Sequence, residues 1–260
     1  MLVESYHRGH GFINDFSGVN PVAVGIFIAK ALIHARKYHS VIEGHHLPTT
    51  GPAILTSNHH REDDVYKGVL VALRDGRLST RAVMKKILID PNARESEKYL
   101  QSIGAKYDDS KKPSRMQIFV LKGIGVIPVL RDNPGTDVAT QCNKVLNAGR
   151  ILSIFLMPSR NEECLLRNLQ LGVAILAIRH PEIPICPLAS SGSPDGPDKI
   201  IVLKPFTYAE KVAELGRKPR PGELIIMIAD MIATALPERS QQDWQTRREE
   251  ELERLISPRK

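Results

Sequence analysis

Cysteine is scarce in this 260-residue chain: three residues, Cys142, Cys164 and Cys186, with no C-x-x-C spacing. An odd count without paired spacing argues against a disulfide framework or a zinc ribbon and points to a reducing, cytosolic setting. Cys164 and Cys186 read as small buried hydrophobes, not nucleophiles. Aromatic residues make up only 5% of the chain and are not interleaved with basic ones, so no nucleic-acid surface is expected. No internal repeat or low-complexity tract is present. The start, Met1-Leu-Val-Glu-Ser-Tyr-His-Arg, lacks the apolar stretch of a secretory signal. The apolar run from Val22 to Ile33 contains Lys30 and falls short of the roughly 20 residues needed to span a bilayer. It opens at Asn20-Pro21, a helix cap followed by proline at the first helical position. This helix either packs on a core or lies in a membrane interface, with His34, Arg36 and Lys37 facing head groups.

What is present describes an ordinary globular protein, 42% hydrophobic and 25% charged, with length enough for a sizeable core. The formal net charge is +7. The charges of residues 238–260 balance, so the excess lies in the body of the chain and suits phosphate groups, coenzyme A or an anionic bilayer. Periodicity predicts helices over 21–38, 63–76, 112–123, 136–148, 169–179 and 222–236, with short helices between 85 and 104. Strands are expected at 40–43, 53–57, 80–84, 125–129, 151–157, 184–189 and 199–203. Such alternation implies an α/β fold with a largely parallel central sheet flanked by helices. Three segments follow: residues 1–40 with an amphipathic or interfacial helix, a domain over 41–237, and a charged, solvated helical tail over 238–260.

The most informative stretch is Ala53-Ile-Leu-Thr-Ser-Asn-His-His-Arg-Glu-Asp-Asp64. A strand ends at Asn58 and a helix starts near Asp63, with His59 at the exit and Asp64 five residues on. On one regular helix those side chains would splay about 140° apart, at roughly 100° per residue. They meet only if His59 lies in the loop and Asp64 in the first helical turn, beyond the carboxyl end of a strand, where α/β folds place their chemistry. A histidine held by a carboxylate is suited to act as a general base toward a hydroxyl. Surface electrostatics is the plainer alternative. His59, His60, Glu62, Asp63 and Asp64 are also candidate metal ligands, though no second ligand cluster of similar density follows and no metal is expected.

Asn58-His59-His60-Arg61-Glu62-Asp63-Asp64 resembles the NHxxxxD block of the glycerolipid acyltransferases, the 1-acylglycerol-3-phosphate acyltransferase family. Further short segments resemble that family's in order: Val41-Ile-Glu-Gly-His-His-Leu-Pro48, Met84-Lys-Lys-Ile-Leu88, Gly125-Val-Ile-Pro-Val-Leu-Arg131, Ile183-Pro-Ile-Cys-Pro-Leu188 and Ile200-Ile-Val-Leu-Lys-Pro205. One block departs. Phe155-Leu-Met-Pro-Ser-Arg160 stands where the family has FPEGTR, with Met157 replacing the glutamate, Leu156 the proline and Pro158 the glycine.

The resemblance implies a glycerol-3-phosphate acyltransferase-like fold and direct acyl transfer without a cofactor. His59 would be the base and Asp64 its orienting carboxylate. Arg131, Arg160, Ser159 and Asn58 would bind substrate, the arginines through a phosphate, although a structural salt bridge is the alternative for each arginine. Lys85 and Lys86 are further phosphate candidates. The implied donor is acyl-CoA or acyl-ACP and the acceptor a lysophosphatidate-like lipid, with the protein cytoplasmic and peripherally attached to membrane. The altered block leaves two rivals open: a different acceptor, such as a sugar lipid or another lysophospholipid, and a non-catalytic lipid or acyl-CoA binding protein.

Overall fold

Strand β2 (Ala53–Ser57) is the axis of the molecule. The first four of its residues, Ala-Ile-Leu-Thr, are buried, as expected of a parallel strand covered on both faces. In this computed structural model, which describes residues 19–61, 64–77, 80–85, 114–129, 135–161, 163–192 and 197–257, seven strands form one sheet. The others are β1 (Val41–Gly44), β3 (Thr80–Lys85), β4 (Ile127–Val129), β5 (Ile151–Phe155), β6 (Ile185–Ser191) and β7 (Lys199–Val202). Their order is β1-β7-β6-β2-β5-β3-β4. All neighbouring pairs run parallel except β6 with β7. The expected largely parallel α/β sheet is what the chain builds.

Side chains alternate between two helical layers, as the two-residue period of a strand requires. Ile54, Leu152, Ile185 and Ala189 face a core built with α4 (Gly135–Asn147), α5 (Gly172–Arg179), α7 (Pro221–Ala233) and α8 (Glu238–Ile256). Ala53, Leu55, Ile151, Cys186 and Leu188 face the opposite side, toward α1 (Pro21–Lys37) and α2 (Asp64–Arg74). Helix α3 (Arg115–Gly123) packs on α1 and α2 through Val120, against Ala23 and Phe27. Its last residue must be small: a Cβ on Gly123 would sit 2.3 Å from that of Ala23.

Helix starts follow local chemistry. The Asn20 side chain accepts the amides of Val22 and Ala23, Ser114 forms a capping box with Gln117, and Pro221 opens α7. A helix absent from the sequence-based expectation, α6 (Tyr208–Leu215), is capped reciprocally by Thr207 and Glu210 and ends at a left-handed Gly216. Its T-x-x-E start was visible in the sequence, but eight residues are too few for periodicity to register.

Two further expectations need correction. The helix expected from 169 begins at Gly172, because residues before it cross irregularly, with Cys164 and Asn168 at positive φ. The 238–260 tail is not simply solvated. Trp244 of α8 is 2% exposed within the α5–α7–α8 core, its indole N–H donating to Asp230. Glu251, also buried, accepts the backbone amides of Asn168 and Leu169, so α8 clamps the irregular crossing. The mostly polar composition of α8 conceals this narrow apolar face. The short helices expected between 85 and 104 lie outside the described residues.

Candidate functional site

The sheet brings the ends of β2, β5 and β6 to one edge, with Ser57 level with Phe155 on one side and Leu188 on the other. The chain leaves β2 through Asn58, His59 and His60 and enters α2 at Asp64. His59 Nδ1 lies 3.1 Å from Asp64 Oδ2. The same oxygen accepts the backbone amides of His60 and Arg61, the latter at 2.8 Å, so the carboxylate organises the whole turn. Phe155, the last residue of β5, stacks on the His59 ring at 4.1 Å between centroids and 9° between planes. His59 keeps 19% side-chain exposure and Asp64 only 1%.

Asp64 is charged. Burial alone would push its carboxyl up, but the His59 hydrogen bond, the Lys67 ammonium and the Arg61 amide outweigh it and hold the group at about 2. An ionised Asp64 accepts a hydrogen bond from the Nδ1–H of His59, which leaves Nε2 with the basic lone pair. This arrangement is one in which Nε2 can take a proton, with the carboxylate behind the ring.

Behind Asp64 lies a buried polar network. Lys67, 2% exposed, places Nζ 3.0 Å from Asp64 Oδ1 and 3.5 Å from Asp198 Oδ2, and donates to Ser190 Oγ at 2.8 Å. The Ser190 hydroxyl donates to Asp64 Oδ1 at 3.3 Å. Asp198, fully buried, is 3.0 Å from His34 Nε2 of α1 and 3.5 Å from the Arg61 guanidinium. Gly192 makes room for this carboxylate: a Cβ there would come within 2.2 Å of Asp198 Oδ1. Sequence reading missed Lys67, Ser190 and Asp198. The one available signal was a lysine, Lys67, amid the apolar residues of α2, three positions after Asp64.

The other candidate residues divide. Asn58, expected to touch substrate, is fully buried and spends its amide on the Ser190 backbone, donating to the carbonyl and accepting the N–H, each at 2.8 Å. In this arrangement it ties β2 to β6. Ser159 and Arg160 lie in the segment after β5, beside the histidine turn: the Asn161 amide donates to the His59 carbonyl at 2.8 Å. Arg160 is exposed and Ser159 half-buried. Arg131, Lys86, Glu62, Asp63 and Glu162 lie outside the described residues, and of Lys85 only the backbone is described.

Met157 does not present a polar group where the family block carries its glutamate. It is 4% exposed, and its sulfur accepts the Arg167 amide. Burial pushes the three thiols up, Cys142 and Cys164 to about 11 and Cys186 to about 12, so none is a ready nucleophile. Among the described residues no three His, Cys, Asp or Glu side chains are grouped to hold a metal ion.

Two cavities meet beneath the site. A small polar one is lined by Asp64, Lys67, Ser190 and Phe155. It shares Gly68 and Ser153 with a larger cleft between α1, α2 and β3, lined by Phe27, Val65, Val69 and Ala72. No helix of the described residues is long and apolar enough to cross a membrane.

Neither a family model nor a curated protein sequence matches the chain. Among solved structures it is similar to the 1-acyl-sn-glycerophosphate (LPA) acyltransferase PlsC from Thermotoga maritima. The TM-score is 0.53 at 12% identity, over 82% of this chain and 78% of that one. At that identity the likeness is one of fold: this chain has the mostly parallel, helix-flanked α/β architecture of that acyltransferase.

Proposed function

We propose that the protein is an O-acyltransferase of phospholipid biosynthesis, moving a fatty acyl group from acyl-CoA or acyl-ACP to the hydroxyl of a lysophosphatidate-like acceptor. The observation that carries this reading is the His59–Asp64 pair, hydrogen-bonded at 3.1 Å beyond the carboxyl end of β2 in this fold. A hydroxyl is a poor nucleophile at neutral pH, and a positioned base supplies about 10²–10⁴ in rate. His59 Nε2 takes the acceptor's proton as its oxygen attacks the thioester carbonyl. The tetrahedral intermediate collapses, the C–S bond breaks, and the departing thiolate recovers the proton from the imidazolium. Asp64 fixes the tautomer and stabilises that imidazolium.

The cleft under Gly68 and Ser153 has the apolar lining that an acyl chain would need. Arg131, two residues past the end of β4, and Arg160 would hold the acceptor's phosphate by forked hydrogen bonds, with Ser159 alongside. Exposed Val22, Leu32 and Ile33 on α1 and Met116 and Phe119 on α3, with basic Arg36 and Lys37 close in sequence, fit a peripheral membrane attachment on the cytoplasmic side.

The buried Met157 favours a second reading within the same chemistry: an acceptor other than glycerol phosphate, since this block brings no carboxylate to its hydroxyls. Release of free thiol from acyl-CoA and from acyl-ACP, measured with glycerol 3-phosphate, lysophosphatidate, other lysophospholipids, a sugar lipid or no acceptor, separates the possibilities. Turnover with lysophosphatidate supports the first reading, and turnover only with another lysophospholipid or a sugar lipid supports the second. Binding of the thioester without turnover on any acceptor overturns both and favours a non-catalytic lipid-binding protein.

A further inference from the structure

Lys67 is a buried cation on the face of Asp64 turned away from His59. Its ammonium contacts Asp64 Oδ1 at 3.0 Å, Ser190 Oγ at 2.8 Å and Asp198 Oδ2 at 3.5 Å. Stability alone gives little reason for such a group, because a buried ion pair is often no better than a well-packed apolar substitute. The titratable neighbours come from every element around it: Asp64 on the same helix, His34 from α1, Asp198 just before β7, His59, His60 and Arg61 from the turn after β2, and Cys164 from the crossing after β5. Lys67 contacts both carboxylates, and Arg61 contacts Asp198 as well. A proton that arrives on His59 therefore faces a carboxylate already shared with an ammonium.

We propose that Lys67 is a positioning residue: by taking one oxygen of Asp64 it lets the other hold the His59 ring in place without retaining the proton that the base must pass on. Asp198 and Ser190 hold the ammonium there, and His34 ties the arrangement to α1. Without Lys67, Asp64 and Asp198 would both draw on the imidazolium, and the base would be released to its neutral form only at higher pH.

The inference rests on the acyl-transfer reading for its activity arm alone; an NMR titration of the His59 imidazole needs no substrate. In Lys67→Met the His59 midpoint should rise by about one pH unit relative to the parent, the size expected on removing a nearby charge. The acidic limb of kcat/KM should rise by the same amount. Activity should fall by up to about tenfold on the acidic limb and recover toward pH 9, with the KM for thioester unchanged. Lys67→Arg, which keeps the charge, should restore the parental titration. Lys67→Met/Asp198→Asn restores charge balance and should fold even if the single variant does not, with a smaller rise. An unchanged midpoint in a folded Lys67→Met protein overturns the proposal, as does failure of both Lys67→Met variants to fold, which would make the lysine structural. A parent without acyl-transfer activity refutes the proposed function, while the titration still decides the role of Lys67.

Discussion

Phe155 lies flat against His59, ring centroids 4.1 Å apart and planes 9° apart. With Nδ1 bound to Asp64, the stack fixes the plane of the imidazole and the hydrogen bond fixes its rotation in that plane. Few degrees of freedom remain for the ring.

His59→Ala should lower turnover by roughly 10²–10⁴, the range of a general-base contribution, with little change in melting temperature because the ring is part-exposed. Near-parental turnover on an identified acceptor would remove the assignment.

Direct attack by the acceptor predicts ternary-complex kinetics. Intersecting double-reciprocal plots are expected, with no burst of free thiol when acceptor is omitted. Mass spectrometry should find no acyl adduct on Cys142, Cys164 or Cys186, whose thiols burial holds protonated. Parallel plots with an acyl-enzyme would favour ping-pong chemistry.

Arg131→Lys should raise the acceptor's KM and leave the donor's nearly unchanged, since lysine cannot copy a forked contact to phosphate. Equal effects on both substrates would argue against an acceptor-phosphate role.

The depressed Asp64 carboxyl also links stability to pH. Its folded value, about 2, lies below the ordinary 3.8, so the unfolded chain binds the proton more readily. The stabilisation is fully present above about pH 5 and is lost as pH falls toward 2, on the order of 2 kcal/mol over that window. Urea denaturation across pH 2–6 should show this loss, and Asp64→Asn should flatten it. An equal slope in the two proteins would contradict the assignment.

Trp244→Ala should destabilise the protein by about 3–5 kcal/mol, the usual cost of deleting a large buried aromatic, although it lies on the most polar helix of the chain. A change below about 1 kcal/mol in chemical denaturation would return α8 to the solvent.

The sheet was legible because its signals are local. Ala53–Ser57 opens on three apolar residues, Asn20-Pro21 and Ser114 announce helices, and periodicity marked all seven strands. The spacing of His59 and Asp64 across a strand-to-helix turn carried the geometry of the pair, because five residues fit such a turn and no regular helix. Sequence order alone left other matters open. Asp198 stands 134 positions beyond Asp64, and only the antiparallel return of β7 beside β6 brings it and Ser190 behind the carboxylate. Trp244 and Glu251 sit in a run of charged residues whose burial depends on a partner surface distant in the chain. Asn58 looked available to substrate until Ser190 closed on it. The physical reason is common to all three. Backbone propensity and alternation act within a few residues, whereas the pairing of a buried charge, a core tryptophan or an amide depends on which distant segment the packed sheet sets against it.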